Sequence, residues 1–427
     1  MTAPSAIFVT LGCRSNQYDT AAMMAWAEEA GYRVRDLSSV PSDEGPVDFY
    51  VINTCAVTGK TEYQCRQMIR RARKQSPEAK IVATGCLAET DPHAMIKAGA
   101  DMVAGPRHRT RVIEYLAGES NPGPGFFYHP AGGTQQKSRA VIKIQDGCMS
   151  FCSYCIVPLA RGESRSLPVN EVIGQLASLS EKGFAEVVIT GVHLGLYGRD
   201  IKTSLEELIK RIDRSAGIPE RLRLSSLEPQ AVSDELINVI CNSRLFCPHF
   251  HLPLQSGDRQ VLKAMKRPYT PERFEEIVRR IHHMAPHAGT GVDIIAGFPG
   301  ESEQAHENTV KLVSDLPLSY FHVFPYSKRP GTRAAKMTEQ VPQDIIKERA
   351  ARLRKIGADK KREFLRSQVG KVRKVLFEKA DESGASGLSE NYVRVETGSR
   401  VDCGSITDMK IVKALQTRLE GVPADEE

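Results

Sequence analysis

Three times within its first 86 residues the chain ends a strand-like run in a cysteine. Residues 6–11 lead through Gly12 to Cys13, residues 48–53 through Thr54 to Cys55, and residues 80–84 through Gly85 to Cys86. Helix-periodic stretches at 18–30, about 61–75 and 92–98 separate these runs, and 102–104 is a further short strand. Strands alternating with helices specify a doubly wound parallel sheet, covered on both faces. The carboxyl ends of such strands share one edge, and ligands bind outside it. The three thiols should therefore converge, and the glycines before two of them should let the backbone approach a bulky cluster closely. The ordinary alternative is three buried core cysteines. Cys65, inside the second helix, stands outside the pattern and reads as structural, as do Cys241, Cys247 and Cys403.

A second cysteine set, Cys148, Cys152 and Cys155, lies on one loop, with three residues between the first pair and two between the second. Three such thiolates can hold three irons of a 4Fe–4S cluster. No fourth cysteine follows before Cys241, so one iron is left open for a substrate, as in open catalytic metal sites. A zinc site completed by His193 or His249 is the competing reading; zinc prefers two separated Cys/His pairs. Ten cysteines in a chain of 427 residues without a signal-peptide pattern point to thiolate ligands in a reducing compartment, the cytoplasm, with no membrane partner.

The length allows two to four domains. Residues 1–118 form the N-terminal α/β unit and 119–138, rich in Gly and Pro, a linker. A second α/β series occupies 139–367, with strand candidates at 140–144, 186–190, 222–227, 250–254, 291–295 and 321–326. Six such units make a partial (β/α)6 barrel, with the second cysteine set just past its first strand, at the end where barrel sites lie. Residues 368–427 read as a small antiparallel β barrel with an acidic tail at 424–427. The net charge of +6 says little alone, but residues 341–380 carry thirteen Lys/Arg against five Asp/Glu. That helix, with Arg352, Arg354 and Lys361, and the basic stretch from Arg66 to Lys74 favour a polyanionic partner over a merely solvated face.

The whole chain resembles the radical S-adenosylmethionine methylthiotransferases. The resemblance rests on Thr10-Leu-Gly-Cys-Arg-Ser-Asn-Gln-Tyr-Asp-Thr20, Phe151-Cys-Ser-Tyr-Cys-Ile-Val-Pro-Leu-Ala-Arg-Gly162, Leu252-Pro-Leu-Gln-Ser-Gly257 and Gly297-Phe-Pro-Gly-Glu-Ser302. It implies three parts: a three-cysteine domain, a radical barrel and a C-terminal TRAM-like RNA-binding β domain. The form around Cys13, with Phe324-Pro-Tyr-Ser-Lys-Arg-Pro-Gly331, is most similar to the class acting on N6-threonylcarbamoyladenosine of tRNA. Other classes act on isopentenyladenosine of tRNA or on a ribosomal-protein aspartate. A non-catalytic iron–sulfur RNA-binding protein is the alternative of another kind.

The resemblance also implies the chemistry. A C–H bond at adenine C2 is neither acidic nor electrophilic, so it must be opened homolytically. A cluster on Cys148, Cys152 and Cys155 would reduce S-adenosylmethionine to give the hydrogen-abstracting radical. A second 4Fe–4S cluster on Cys13, Cys55 and Cys86 would carry the sulfur to be inserted. An electron donor and a sulfur source are further partners, and no catalytic side chain is assigned beyond the cluster ligands. Tyr154, between the last two cysteines, is expected to pack on the cofactor's adenine. Gly191, Glu228, Gln255 and Gly297, at or just beyond strand ends, are the expected cofactor contacts. Thr190-Gly191-Val192-His193 lacks the superfamily's usual Gly-Gly-Glu motif. Ser164-Arg165-Ser166-Leu167-Pro168 also departs from relatives, which often carry a second arginine near Leu167; Arg165 and the barrel's Arg373, Lys374 and Arg394 are expected to meet the RNA.

Overall fold

The computed structural model describes residues 3–37, 47–117, 126–130, 138–382 and 384–425. Strands β1 (Ser5–Thr10), β2 (Arg33–Leu37), β3 (Phe49–Thr54), β4 (Lys80–Gly85) and β5 (Met102–Ala104) form a parallel sheet in the order β2-β1-β3-β4-β5. The order reverses after β1, the arrangement that opens a crevice at the carboxyl edge. The edge strand β2 is absent from the sequence reading because Arg33-Val-Arg-Asp-Leu37 is half polar. The first helix, Arg14–Glu29, begins four residues before the apolar periodicity does. Its early residues Ser15, Asn16 and Asp19 are buried polar groups, which carry no hydrophobic signal.

This helix is buried on nearly every side because it lies between two bodies. Tyr18, Met23, Met24 and Ala27 share one continuous core with Phe8 and Val51 of the first sheet and with Ile142 and Leu176 beyond it. The Tyr18 hydroxyl donates to Gln175 Oε1 at 2.9 Å. The opposite face of the sheet has its own core, which includes Cys65, Ile69 and Met95. Part of the expected linker also packs here: Trp26 lies edge-on to His129, whose Nε2 meets Glu29, and Phe127 is buried. Residues 118–125 and 131–137 lie outside the described residues.

The six expected central strands are present as β6 (Ala140–Asp146), β8 (Glu186–Gly191), β9 (Arg221–Leu224), β10 (His249–Gln255), β11 (Gly289–Ala296) and β12 (Tyr320–Pro325), all parallel to their neighbours. A two-residue strand, β7 (Arg165–Ser166), pairs antiparallel with the end of β6. Hydrogen bonding divides the series into β7-β6-β8-β9 and β10-β11-β12, bridged between Leu222 and Phe246. The long helix Gln343–Ser367 covers β12 and leads into a closed barrel of β13 (Val372–Asp381), β14 (Gly384–Ser389), β15 (Arg394–Thr397), β16 (Ile406–Ala414) and β17 (Leu419–Pro423). Closure uses one parallel pair, β15 with β17. Strands β14 and β17 escaped the sequence reading, since Gly-Ala-Ser-Gly-Leu-Ser reads as turn. Among the described residues no helix is long and apolar enough to cross a membrane.

The barrel is seated by buried charge. Glu186 takes Arg223 Nε at 3.0 Å and Arg221 Nε at 2.6 Å. The remaining guanidinium N–H groups donate to the carbonyls of Lys374, Leu388, Ser389 and Glu390 of the barrel.

Candidate active site

Strands β1, β3 and β4 are adjacent and in register at Thr10, Asn53 and Thr84, so Cys13, Cys55 and Cys86 leave the sheet at one level. All three line one wall of a chamber of about 520 Å³. Gly12 has φ +106°, and a Cβ there would lie 2.8 Å from Cys55 Sγ. Gly85, at φ +90°, would place a Cβ 2.3 Å from the Thr54 carbonyl. Both glycines are thus required by approach of one strand-end loop to the next, a protein contact that the sequence reading had assigned to the cluster. Asn16 ties the loops together, donating to the carbonyls of Leu11 and Thr54 at 2.8 and 2.9 Å. Burial pushes the Cys55 thiol up to about 12 and also raises Cys86, so loading a metal here must release protons. Cys65 is buried in the core, as expected, yet it also touches the site: its sulfur accepts from the Cys55 amide at 3.5 Å.

Behind this wall lies a closed ionic network. Lys143 Nζ donates to Asp146 at 2.8 Å and to Asp19 at 2.5 Å. Arg109 joins the same two carboxylates at 3.1 and 2.6 Å, and Arg161 joins them at 2.7 and 3.3 Å. All five side chains are at most 4% exposed. Three cations face two carboxylates, which leaves one positive charge in surplus. Arg161 also lines the chamber; burial raises the Cys86 thiol, and the Arg161 charge draws it back.

The second set follows β6. The loop is pinned by Cys148 N–H to Gly162 O at 2.9 Å and Ser153 N–H to Met265 O at 3.0 Å. Burial pushes Cys155 up to about 12. Arg267 Nη1 donates to Cys152 Sγ at 3.4 Å, and its other terminal nitrogen is ion-paired with Glu228. Tyr154 and Gln255 meet across a cavity of about 270 Å³ beside Cys155, with Asp293, Ile295, Phe324 and Arg329. Gln255 stands in the left-handed region, φ +63°, where β10 bulges at its end. The other expected contacts fall elsewhere. Gly191 lies in the large chamber, where a Cβ would meet Leu194. Gly297 faces Ile346 of the long helix, 2.2 Å from an added Cβ. Arg165 is in β7, opposite Asp146. Of the two histidines weighed as zinc ligands, His249 lines the large chamber opposite the first cysteine set, where it meets the Tyr320 hydroxyl, and His193 meets Gln230.

The wall facing the first triplet is made of rings. His249 and His251 alternate on β10, and Tyr320, His322 and Phe324 on β12, so each set points one way. Gly291 of β11 lets the Tyr320 ring lie across it, since a Cβ there would be 2.0 Å from Tyr320 Cζ. The Tyr320 hydroxyl then reaches His249 Nε2 at 2.7 Å and His251 Nδ1 at 3.0 Å. His251 Nε2 and His322 Nδ1 both meet Asp293 Oδ1, at 2.8 and 3.2 Å. Burial alone would raise Asp293, but the two imidazoles hold it at about 2. Tyr392, from the barrel, stacks on His249 with ring centroids 4.4 Å apart. The chamber and the cavity beside Cys155 share Val57, Val157, Asp293 and Phe324, so the two cysteine sets open on adjoining spaces. A groove of about 330 Å³ with Arg354, Lys361 and Arg394 leads from Tyr320, His322 and Tyr392 outward.

Three arginines of the basic helix are otherwise engaged: Arg349 with Glu301 and Glu303, Arg352 with Glu307, Arg362 with Asp359. In the other basic helix Arg73 binds Asp101. On the barrel Arg373 pairs with Glu390, Lys374 with Asp408 and Arg394 with Glu378. The sequence reading had counted these charges as available. It also missed Arg14, Arg161, Arg267, Asp293 and the ring wall, although His-x-His at 249–251 and Tyr-x-His-x-Phe at 320–324 carried a period-two signal.

Comparison with known proteins follows the same division. The radical SAM superfamily profile matches residues 142–313, and the profile described as uncharacterized protein family UPF0004 matches residues 5–105. The chain is 37% identical over 429 residues to the threonylcarbamoyladenosine tRNA methylthiotransferase MtaB of Bacillus subtilis (strain 168), covering 95% of this chain and 93% of that one. It is 36% identical over 417 residues to the MtaB of Aquifex aeolicus (strain VF5), covering 95% and 99%. Identity is 32% over 443 residues, covering 98% and 96%, to a tRNA-2-methylthio-N(6)-dimethylallyladenosine synthase of Syntrophobacter fumaroxidans (strain DSM 10017 / MPOB). In fold it is similar to the radical S-adenosylmethionine methyltransferase TsrM from Kitasatospora setae, with a TM-score of 0.59 at 16% identity, covering 78% of this chain and 77% of that one.

Proposed function

The chain belongs to the threonylcarbamoyladenosine tRNA methylthiotransferases of the radical S-adenosylmethionine superfamily, and on that premise we propose that it converts N6-threonylcarbamoyladenosine of tRNA, next to the anticodon, to its 2-methylthio derivative. The observation that carries this reading is the pair of adjoining spaces, one bordered by Cys13, Cys55 and Cys86 and the other by Cys155, joined through Val57, Val157, Asp293 and Phe324.

Cys148, Cys152 and Cys155 would hold one 4Fe–4S cluster, with S-adenosylmethionine in the cavity beside Cys155. Cys13, Cys55 and Cys86 would hold a second. When bound, these groups supply the electron that cleaves S-adenosylmethionine to a hydrogen-abstracting radical, and the sulfur to be inserted. The donor set fits. Burying a net charge is costly unless a counter-charge meets it. The surplus cation of the Lys143–Arg109–Arg161 network, at the back of Cys86, is matched by an anionic thiolate cluster.

The protein's own residues orient and enclose. Tyr154 and Gln255 border the cofactor space, and the left-handed backbone at Gln255 aims its amide there. Glu228 acts through Arg267, which it holds against the Cys152 sulfur. Gly191 shapes the acceptor wall, and Gly297 seats the long helix that carries Arg354 and Lys361. An unpaired adenine turned out of its loop would stack on the ring wall, the usual means of reading single-stranded RNA. The groove with Arg354 and Lys361 is where the phosphates would approach. An electron donor and a sulfur source complete the reaction, which we place in the cytoplasm.

The test is nucleoside mass spectrometry of tRNA from cells lacking and then re-expressing this chain. The 2-methylthio-N6-threonylcarbamoyl nucleoside should disappear and return. If the isopentenyl derivative or a ribosomal aspartate follows the gene instead, the substrate assignment is wrong.

A further inference from the structure

Arg14 is the one chamber-lining cation that, among the described residues, has no carboxylate partner. Arg161, the other arginine of the chamber, is saturated by Asp146, Asp19 and Asn16. Arg14 begins the first helix, one residue past Cys13, and its side chain is half-buried. It is held by neutral contact only: Nη2 donates to the Tyr392 hydroxyl at 3.1 Å, across from the N-terminal wall. Close by, His249 is 3% exposed, and its Nδ1 is buried with no hydrogen-bond partner among the described residues. The acid of the opposite wall, Asp293, is already taken up by His251 and His322. The chamber therefore presents a guanidinium with no counter-charge and, among the described residues, no free carboxylate.

An unmatched guanidinium facing a part-enclosed space is suited to a planar anion, which it binds with two parallel N–H donors. The N6 substituent of threonylcarbamoyladenosine ends in a carboxylate and a hydroxyl, whereas an isopentenyl substituent is wholly apolar. Resting on the function proposed above, we propose that Arg14 is the specificity-determining residue that binds the threonyl carboxylate of the acceptor, with Tyr392 holding the guanidinium in place. The barrel then contributes to substrate choice directly, through Tyr392 at the turn between β14 and β15. A site built for a polar group rejects an analogue lacking it strongly, because its own buried groups are left unpaired.

The test uses the reconstituted holoenzyme and tRNA whose N6-threonylcarbamoyl group is either the free acid or its chemically prepared carboxamide. Iron content of every variant is measured alongside. The wild type should favour the acid by about 10- to 100-fold in kcat/KM, as expected for one charge-assisted pair. Arg14→Gln should bring the acid-to-amide ratio close to one, and Tyr392→Phe should lower it partway. Because the ratio compares two substrates on one protein, a general loss of folding or loading cancels. If Arg14→Gln slows acid and amide equally, the arginine serves an RNA phosphate or a cluster and the inference is overturned, while the function stands. If the wild type does not methylthiolate the acid-bearing tRNA at all, the proposed function falls and takes the inference with it.

Discussion

Removing the charge of Glu186 should loosen the C-terminal barrel without touching either cysteine set. Glu186 is buried and receives Arg221 and Arg223, whose other N–H groups hold four barrel carbonyls. Burial alone would raise its carboxyl, but the Arg223 and Arg221 guanidinium groups hold it at about 2, against an ordinary 4.5. Protonation and a Gln substitution remove the same charge. A depression of roughly 2.5 units at 1.36 kcal/mol each corresponds to about 3 kcal/mol. The folded-state value is depressed, so this stabilisation is fully present above about pH 4.5 and is lost as pH falls toward 2. At pH 7, Glu186→Gln should therefore speed amide hydrogen exchange in β13 and β14 by about 10²-fold, the equivalent of that energy. Exchange in β1, β3 and β4 should stay within about twofold. If β13 and β14 exchange as in the wild type, the barrel is held by something other than this buried triad.

Arg161→Met leaves Lys143 and Arg109 matched to Asp19 and Asp146 and removes the surplus cation behind Cys86, so the N-terminal cluster's iron should be lost with the Cys148 set still loaded. Equal iron in both sites would contradict the charge argument. Gly12→Ala, at φ +106° and against Cys55, should lower iron content at the first triplet while leaving cofactor cleavage measurable. Cys65→Ala removes a buried thiol but no ligand, so iron content should hold while the thermal midpoint falls by a few degrees. Lys361→Glu, on the groove, should weaken tRNA binding and flatten its salt dependence, leaving cofactor cleavage unchanged in the absence of tRNA.

Much of the architecture is legible in the sequence because it is written in apolar periodicity. Strands β1, β3 and β4 are buried apolar runs and the six central parallel strands carry apolar runs or alternations, and each was found within a few residues of its bounds. What escaped was polar or glycine-rich. Strand β2 carries three charges, β14 is composed of small residues, and the first turn of the helix after Cys13 buries Asn16 and Asp19 for hydrogen bonding. The site shows the same division. The cysteines stand out by spacing, but Lys143, Asp146, Arg109 and Arg161 come from distant segments, and only folding shows that they neutralise one another. Basic residues were over-read as RNA contacts for the converse reason. Composition counts charges and cannot see that Arg349, Arg352 and Arg373 already have acids. A deletion of residues 368–427 is accordingly a poor probe of RNA binding, since it would expose Arg221 and Arg223 and remove Tyr392 from the chamber.

The division of labour between the two cysteine sets is tested most directly by the triple variant Cys13→Ala/Cys55→Ala/Cys86→Ala, reconstituted anaerobically and given S-adenosylmethionine, reductant and substrate tRNA. The account predicts about four irons per chain in place of about eight, following three-thiolate ligation of each cluster. It also predicts continued release of 5′-deoxyadenosine and methionine, with no methylthio nucleoside. Full product formation by this variant would contradict the account, since the sulfur would then have come from elsewhere.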